Sequence, residues 1–369
     1  MSVNTRPIPA GRALEALRAG WQAQCNAGLS VSYMLHGRPG VGKTQIVQQL
    51  ADEIGARLFD LRLTTIEPQD LRGLPYFDHE RGRTVWYRPE DLPDDPAAPA
   101  ILFLDELTAA APTLQPAVYG LLQERRVGPH KLPDSVLVIG AGNTAEDGAV
   151  AYEIGTALSD RLVHLMVVAN AADWLDHFAI PQDLAPEVIA FIRTRPDLLE
   201  TSVDALSRGD VIAATPRSWE RVSDLMRAGI DQPTRAILIA GTVGEAIAAE
   251  FNVIAEEIAA TVQVHEMLET PADLRWALYP DTLHGLNALI YGLIGATEAG
   301  TIGPVTEIMT GIGDLAARRS EATFQTLPLA ELRTYAFEIL IGRALDKGLG
   351  EAMLAAPAYQ RYAAARADA

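Results

Sequence analysis

Gly37-Arg38-Pro39-Gly40-Val41-Gly42-Lys43-Thr44 combines three glycines, a lysine and a hydroxyl at the spacing G-x-x-x-x-G-K-[ST]. The chemistry this suits is the holding of phosphate. Glycines let successive backbone N–H groups turn inward around phosphate oxygens, and a helix starting there adds its positive end. Lys43 can reach the terminal phosphates and the Thr44 hydroxyl can ligate Mg2+, with Gln45 completing the binding stretch 37–45. Further along, Ile101-Leu102-Phe103-Leu104 runs into Asp105-Glu106. Four apolar residues predict a buried strand, and its two carboxylates fall at the end where open α/β sheets bind ligands. Asp105 can hold the Mg2+ through water, and Glu106 can act as general base on the water that attacks a γ-phosphate. A small-molecule kinase has no use for Glu106, because its substrate supplies the nucleophile.

A third apolar run, 135–139, leads to Gly140-Ala141-Gly142-Asn143-Thr144-Ala145. That stretch fits the dinucleotide fingerprint G-x-G-x-x-G/A, but Glu146-Asp147-Gly148 reads as loop and not as the helix the fingerprint requires. Asn143 is instead expected to end the strand beside Asp105 and Glu106, its amide orienting the attacking water.

For these groups to meet, strands must carry them to one edge of a sheet. Strand-like runs at 31–36, 57–63, 101–104, 135–139 and 162–168 alternate with helical patterns at 44–54 and 114–123. Ile46, Val47, Leu50 and Ile54 share one face of the first helix, and Gly55 stops it. The pattern predicts an α/β fold with a parallel sheet covered on both faces. Residues 66–99, with six prolines, interrupt it. There Tyr76-Phe77 and Val85-Trp86-Tyr87 flank a polar turn and predict a hairpin, whose aromatics are read as hairpin packing in preference to substrate grip. A second turn at 127–130 precedes the fourth strand. Beyond about 168 helical periodicity dominates, at 185–193, 218–228 and 235–258. The expected division is an α/β domain over 1–170 with inserts at about 66–99 and 125–134, a helical domain over 171–262, and a helical C-terminal region over 263–369.

Composition narrows the classes. Of 369 residues, 49% are hydrophobic and 21% charged, which excludes disorder as the main state. The net charge of −18 repels phosphate backbones, so nucleic acid is an unexpected partner. The single cysteine, Cys25, excludes an intramolecular disulfide, and the seven histidines show no close ligand spacing, so no zinc is expected. The best apolar runs, 286–296 and 236–249, contain Asn287 and Glu245 and fall short of the roughly 20 apolar residues of a spanning helix. The first residues lack an apolar signal core. A cytoplasmic protein with no membrane attachment is the expectation.

Taken together, the motifs resemble the MoxR-like group of AAA+ ATPases over about residues 8–230: Walker A at 37–44, Walker B at 101–106, sensor 1 at Asn143, an insert before Walker B and a hairpin before sensor 1. The resemblance implies a P-loop NTPase sheet of order 5-1-4-3-2, a helical lid over 171–262, and hydrolysis of ATP with Mg2+. Leu158-Ser159-Asp160-Arg161-Leu162 resembles the arginine-finger segment of that group, with Leu162 where Phe is usual. Thr215-Pro216-Arg217-Ser218-Trp219 resembles the sensor 2 start of a lid helix, which Thr215 can cap and Pro216 can open. Arg217 would then lie near the γ-phosphate. Arg125 and Arg126 are rival fingers. A finger acting across an interface implies a homo-oligomeric ring, most simply a hexamer. The group implies a chaperone-like remodeller that acts with a von Willebrand factor A domain protein or another protein substrate. The alternatives are a DNA translocase of the same superfamily and a nucleotide-gated scaffold with little turnover. Intact Glu106 and Asn143 speak against the scaffold.

Overall fold

The computed structural model describes residues 4–143, 159–160 and 162–367. The chain runs through β1 (Pro7–Ile8), α1 (Ala10–Ala27), β2 (Ser32–His36), α2 (Lys43–Ile54) and β3 (Arg57–Arg62). It continues through β4 (Pro75–Asp78), β5 (Arg83–Trp86), β6 (Ala100–Asp105), β7 (Arg126–Val127), β8 (His130–Lys131), β9 (Val136–Gly142) and β10 (Leu162–Val167). Six strands form one parallel sheet in the order β1-β10-β2-β9-β6-β3. Counting the five sequence-predicted strands alone, this is 5-1-4-3-2. The two-residue β1 adds a sixth strand beside β10 and is too short to leave a periodic signal.

The sheet is buried on both faces because successive side chains of a strand point opposite ways. Ile101 and Phe103 of β6 join Leu137 and Ile139 of β9 in one layer, against Leu14 and Leu17 of α1 and Ile46, Val47 and Leu50 of α2. Leu102 and Leu104 join Val136 and Val138 in the opposite layer, against Leu114, Val118 and Leu121. Parallel pairing also aligns the strand ends. Arg62 is in register with Asp105, Leu104 with Gly140, and His36 with Gly142. The polar residues that follow these strands therefore emerge at one edge.

Two predicted helices differ in detail. The run 114–123 is an α-helix only over Gln115–Tyr119 and then widens into a π-turn over Gly120–Glu124. The run 235–258 is two helices, Gln232–Val243 and Glu245–Thr261, broken at Gly244. Gly244 takes φ 92° and ψ 150°, a backbone state that side chains with a Cβ rarely reach. Apolar periodicity continues across the break, so it hides it. In the 66–99 insert, β4 and β5 pair antiparallel, Tyr76 stacks on Tyr87 at 4.3 Å and Arg72 lies over Trp86 at 4.2 Å. Phe77 and Tyr87 nevertheless stay 55% and 61% exposed.

Contacts divide the chain into two compact units. One holds Met1–Trp174 with Ser202–Asp210 and Thr215–Arg217; the other holds Leu175–Thr201, Val211–Ala214 and Ser218–Ala369. The second is helical. Helix Leu283–Gly295, buried along most of its length, packs on helices Pro186–Thr194 and Glu245–Thr261, so one core spans both sides of residue 262. No described helix is long and apolar enough to cross a membrane.

Candidate nucleotide site

β2 ends at His36 and the chain turns through 37–42 into α2. Gly40 and Gly42 take φ 83° and 98°. A Cβ on Gly40 would come 2.8 Å from Thr215 Oγ1, so the loop approaches that segment as closely as it does only without a side chain. Val41 anchors the loop in the core at 5% exposure. The Arg217 backbone N–H donates to the Gly40 carbonyl at 3.4 Å, which sets residue 217 beside the loop with its side chain exposed. Lys43 Nζ donates to the carbonyls of Gly37 and Arg38 and, at 3.0 Å, to Asn143 Oδ1.

The carboxylates sit where β6 ends. Glu106 takes φ 57°, left-handed backbone that costs a residue with a Cβ about 1–2 kcal/mol and collects at functional sites. Its N–H donates to Asp105 Oδ1 at 2.8 Å. Its carboxylate accepts from the Thr64 hydroxyl and lies 3.9 Å from Arg62 Nε. Asn143 is fixed through its backbone, donating to Thr108 Oγ1 at 3.1 Å. Nearby, burial and then Asp105 push the Asp60 carboxyl above its ordinary range.

Lys43, Thr44, Asp105, Glu106 and Asn143 thus lie at the loop and strand ends at one edge of the sheet, and the backbone of Arg217, in helix Pro216–Arg227, is tied to that loop. Arg161 lies outside the described residues. Of its rivals, Arg125 turns its guanidinium inward onto the carbonyls of Pro133 and Val136, and Arg126 bonds the Gly128 carbonyl. Arg125 is thus engaged at the start of β9, and Arg126 within its own hairpin. Thr64, Arg62 and Thr108 had no sequence signal; they reach the site only through strand neighbours.

Residues 32–177 match the family described as AAA domain (dynein-related subfamily). Over that stretch, less than half of the chain, the sequence is similar to an AAA domain. Among curated proteins, the chain is similar to the ATPase family gene 2 protein homolog B of Mus musculus, 36% identical over 105 residues, which are 28% of this chain and 12% of that protein. The Bos taurus protein of the same name is 35% identical over 157 residues, 42% of this chain and 17% of that one. The chain thus spans less than a fifth of these relatives' length. Among solved structures, a RuvB variant from Thermotoga maritima aligns at 14% identity over 72% of this chain and 80% of its own, with TM-score 0.37, a likeness too slight to bear on function.

The donors of this stretch suit Mg2+. Among the described residues no three His, Cys, Asp or Glu side chains gather as a metal site. Thr44 and Asp105 instead offer one hydroxyl and one carboxylate, hard oxygens of the kind Mg2+ takes together with phosphate oxygens and water. Lys43→Ala should weaken ATP binding by about 100-fold or more, since it removes charge-assisted bonds to the terminal phosphates. Titration with a fluorescent ATP analogue measures it; near-normal affinity in a folded variant would mean that Lys43 does not meet the phosphates.

One pair at the root of the loop escaped the sequence reading. His36 Nε2 lies 2.8 Å from His164 Nδ1 on the adjacent strand, and the rings stack. His164 Nε2 faces the Ser159 carbonyl at 2.9 Å, which can only accept. The neutral tautomers follow: His164 donates through Nε2, and His36 donates through Nε2 to the bare Nδ1 of His164. A second proton would set donor against donor. Burial, then His164 and Lys43, lower the His36 pKa to about 4. The unfolded chain takes up that proton near pH 6.5, so stability falls as pH drops from 6.5 towards 4, by up to about 3 kcal/mol. Urea midpoints at pH 7 and pH 5 should show a smaller loss for His36→Gln than for the wild type. An equal loss in both proteins would remove His36 from the account.

Proposed function

We propose that this chain is a Mg2+-dependent ATPase of MoxR-like kind, hydrolysing ATP to ADP and phosphate to remodel or activate a partner protein. The reading rests above all on the Lys43–Asn143 bond at 3.0 Å, which joins the phosphate loop to the strand end beside Asp105 and Glu106. The loop N–H groups take the phosphates. Lys43 exchanges the Gly37, Arg38 and Asn143 oxygens for phosphate oxygens, which frees the Asn143 amide to orient water. Glu106 takes the proton from that water. The Thr64 hydroxyl donates to that carboxylate and holds it in place. Mg2+ held by Thr44 and Asp105 would neutralise charge on the phosphates. Arg161 completes the site from a neighbouring subunit, so the working form is a ring, a hexamer, acting in the cytoplasm. A von Willebrand factor A domain protein is the partner this reading favours.

The test is affinity capture from the native host with Glu106→Gln protein. A protein retained with ATP and released without it is the expected partner. Absence of ATPase turnover in the wild type would instead favour a scaffold.

One feature favours a second reading, a motor on single-stranded nucleic acid. Exposed Phe77 and Tyr87 lie in the same unit as Arg81, Arg83, Arg126 and Lys131 on the two hairpins, and aromatic faces with cations suit stacked bases. The −18 charge opposes it. Retention on single-stranded DNA at moderate salt would support it.

A further inference from the structure

The helical unit holds a cavity of about 400 Å3 that nucleotide chemistry does not use. Arg193 reaches it from the last turn of helix Pro186–Thr194, Asn287 from helix Leu283–Gly295, and Glu331 and Tyr335 from helix Leu329–Asp346. Leu283 and Leu332 supply apolar wall.

Two polar side chains line this wall without a hydrogen bond or ion pair to another side chain among the described residues. Asn287 is 3% exposed in an otherwise largely apolar helix, and among the described residues its amide has no hydrogen-bond partner. Arg193 lies with its guanidinium carbon 3.9 Å from the centre of the Tyr335 ring. Among the described residues it has neither an ion pair nor a hydrogen bond. The Tyr335 hydroxyl is already engaged with that of Tyr291 at 2.8 Å. Stacking orients the guanidinium and leaves its N–H edge for a ligand, and the fork of that edge matches two coplanar oxygens. Charge narrows the choice further. Glu331 stands in the same wall, and Asp176 and Glu338 line a second cavity that shares Tyr335, so a doubly charged phosphate is opposed.

We propose that this cavity binds a carboxylate carried on a small apolar body, with Arg193 and the Asn287 amide holding the two oxygens and Leu283 and Leu332 covering the rest. The carboxylate belongs either to a free amino acid or to the last residue of a polypeptide. This site is independent of the ATPase reading.

The experiment is calorimetric titration of the full chain without nucleotide. N-acetyl-leucine should bind with a Kd below about 1 mM, while N-acetyl-leucinamide, which lacks only the charge, should show no heat at ten times that concentration. Asn287→Leu should keep the fold and weaken the acid about tenfold or more, the scale of one hydrogen bond to a charged group. Arg193→Gln should abolish binding. Should that variant fail to fold, Arg193→Lys keeps the charge without the fork and should still lose most of the affinity. Free leucine binding more tightly than N-acetyl-leucine, and losing that advantage in Glu331→Gln, identifies an amino acid. Tighter binding of the tripeptide Ala-Ala-Leu identifies a chain end. The proposal fails if acid and amide bind alike, if neither binds, if inorganic phosphate displaces the acid, or if folded Arg193 variants bind it unchanged.

Discussion

Arg161→Ala is expected to bind ATP almost normally and to hydrolyse it about 10³–10⁵-fold more slowly, the worth of an arginine finger in related phosphoryl transfers. A guanidinium facing the γ-phosphoryl neutralises charge that develops only in the transition state, so binding survives while turnover does not. The inward-turned Arg125 and the hairpin-bound Arg126 leave Arg161 the better of the three candidates. Action across an interface is separable from action within one chain. Arg161→Ala and Lys43→Ala should each be inactive alone. Mixed and allowed to exchange subunits, they should recover part of the activity, because some interfaces then join an intact loop to an intact finger. Mixtures that stay dead despite demonstrated exchange would leave two explanations, a finger acting in cis or a ring poisoned by any inactive subunit. A double variant diluted into wild type distinguishes them. Activity that falls only in proportion to dilution would show tolerance of inactive subunits and would remove the trans assignment.

Glu106→Gln should bind ATP and assemble yet lose turnover by about 10²–10⁴-fold, the range that a positioned general base contributes. The substitution keeps the shape and the Thr64 bond, since an amide oxygen also accepts from a hydroxyl. What it removes is the basic carboxylate. Single-turnover rates of the folded variant measure the effect. Turnover within a factor of about three of the wild type would assign the base to another group, because so small a loss is below what proton transfer supplies. The variant should also hold the ring with ATP, read by analytical ultracentrifugation. A monomer at saturating ATP would contradict the shared interface between nucleotide and finger.

What the sequence by itself determined is local. The phosphate loop is contiguous, so 37–44 could be read without knowing the fold, and the apolar runs before Asp105 and Asn143 told which end of a strand each occupies. The sheet order came with the family resemblance and not from spacing, because nothing in five apolar runs says which lie side by side. Periodicity found helices but missed the break at Gly244, since apolar residues recur in phase on both sides of it.

Only the tertiary structure decided which side chains restrain the chemistry. Thr64 reaches Glu106 because β3 lies next to β6, and His36 reaches His164 because β2 lies next to β10. These pairs are 42 and 128 residues apart. The same holds for Thr215 at Gly40 and for Asn287, Arg193 and Tyr335 around one cavity. In the linear chain Thr64, His36, His164, Asn287, Arg193 and Tyr335 are ordinary polar residues. Contacts made across sheet neighbours and helix crossings carry no period and no motif, so they exist as information only once the chain has closed upon itself.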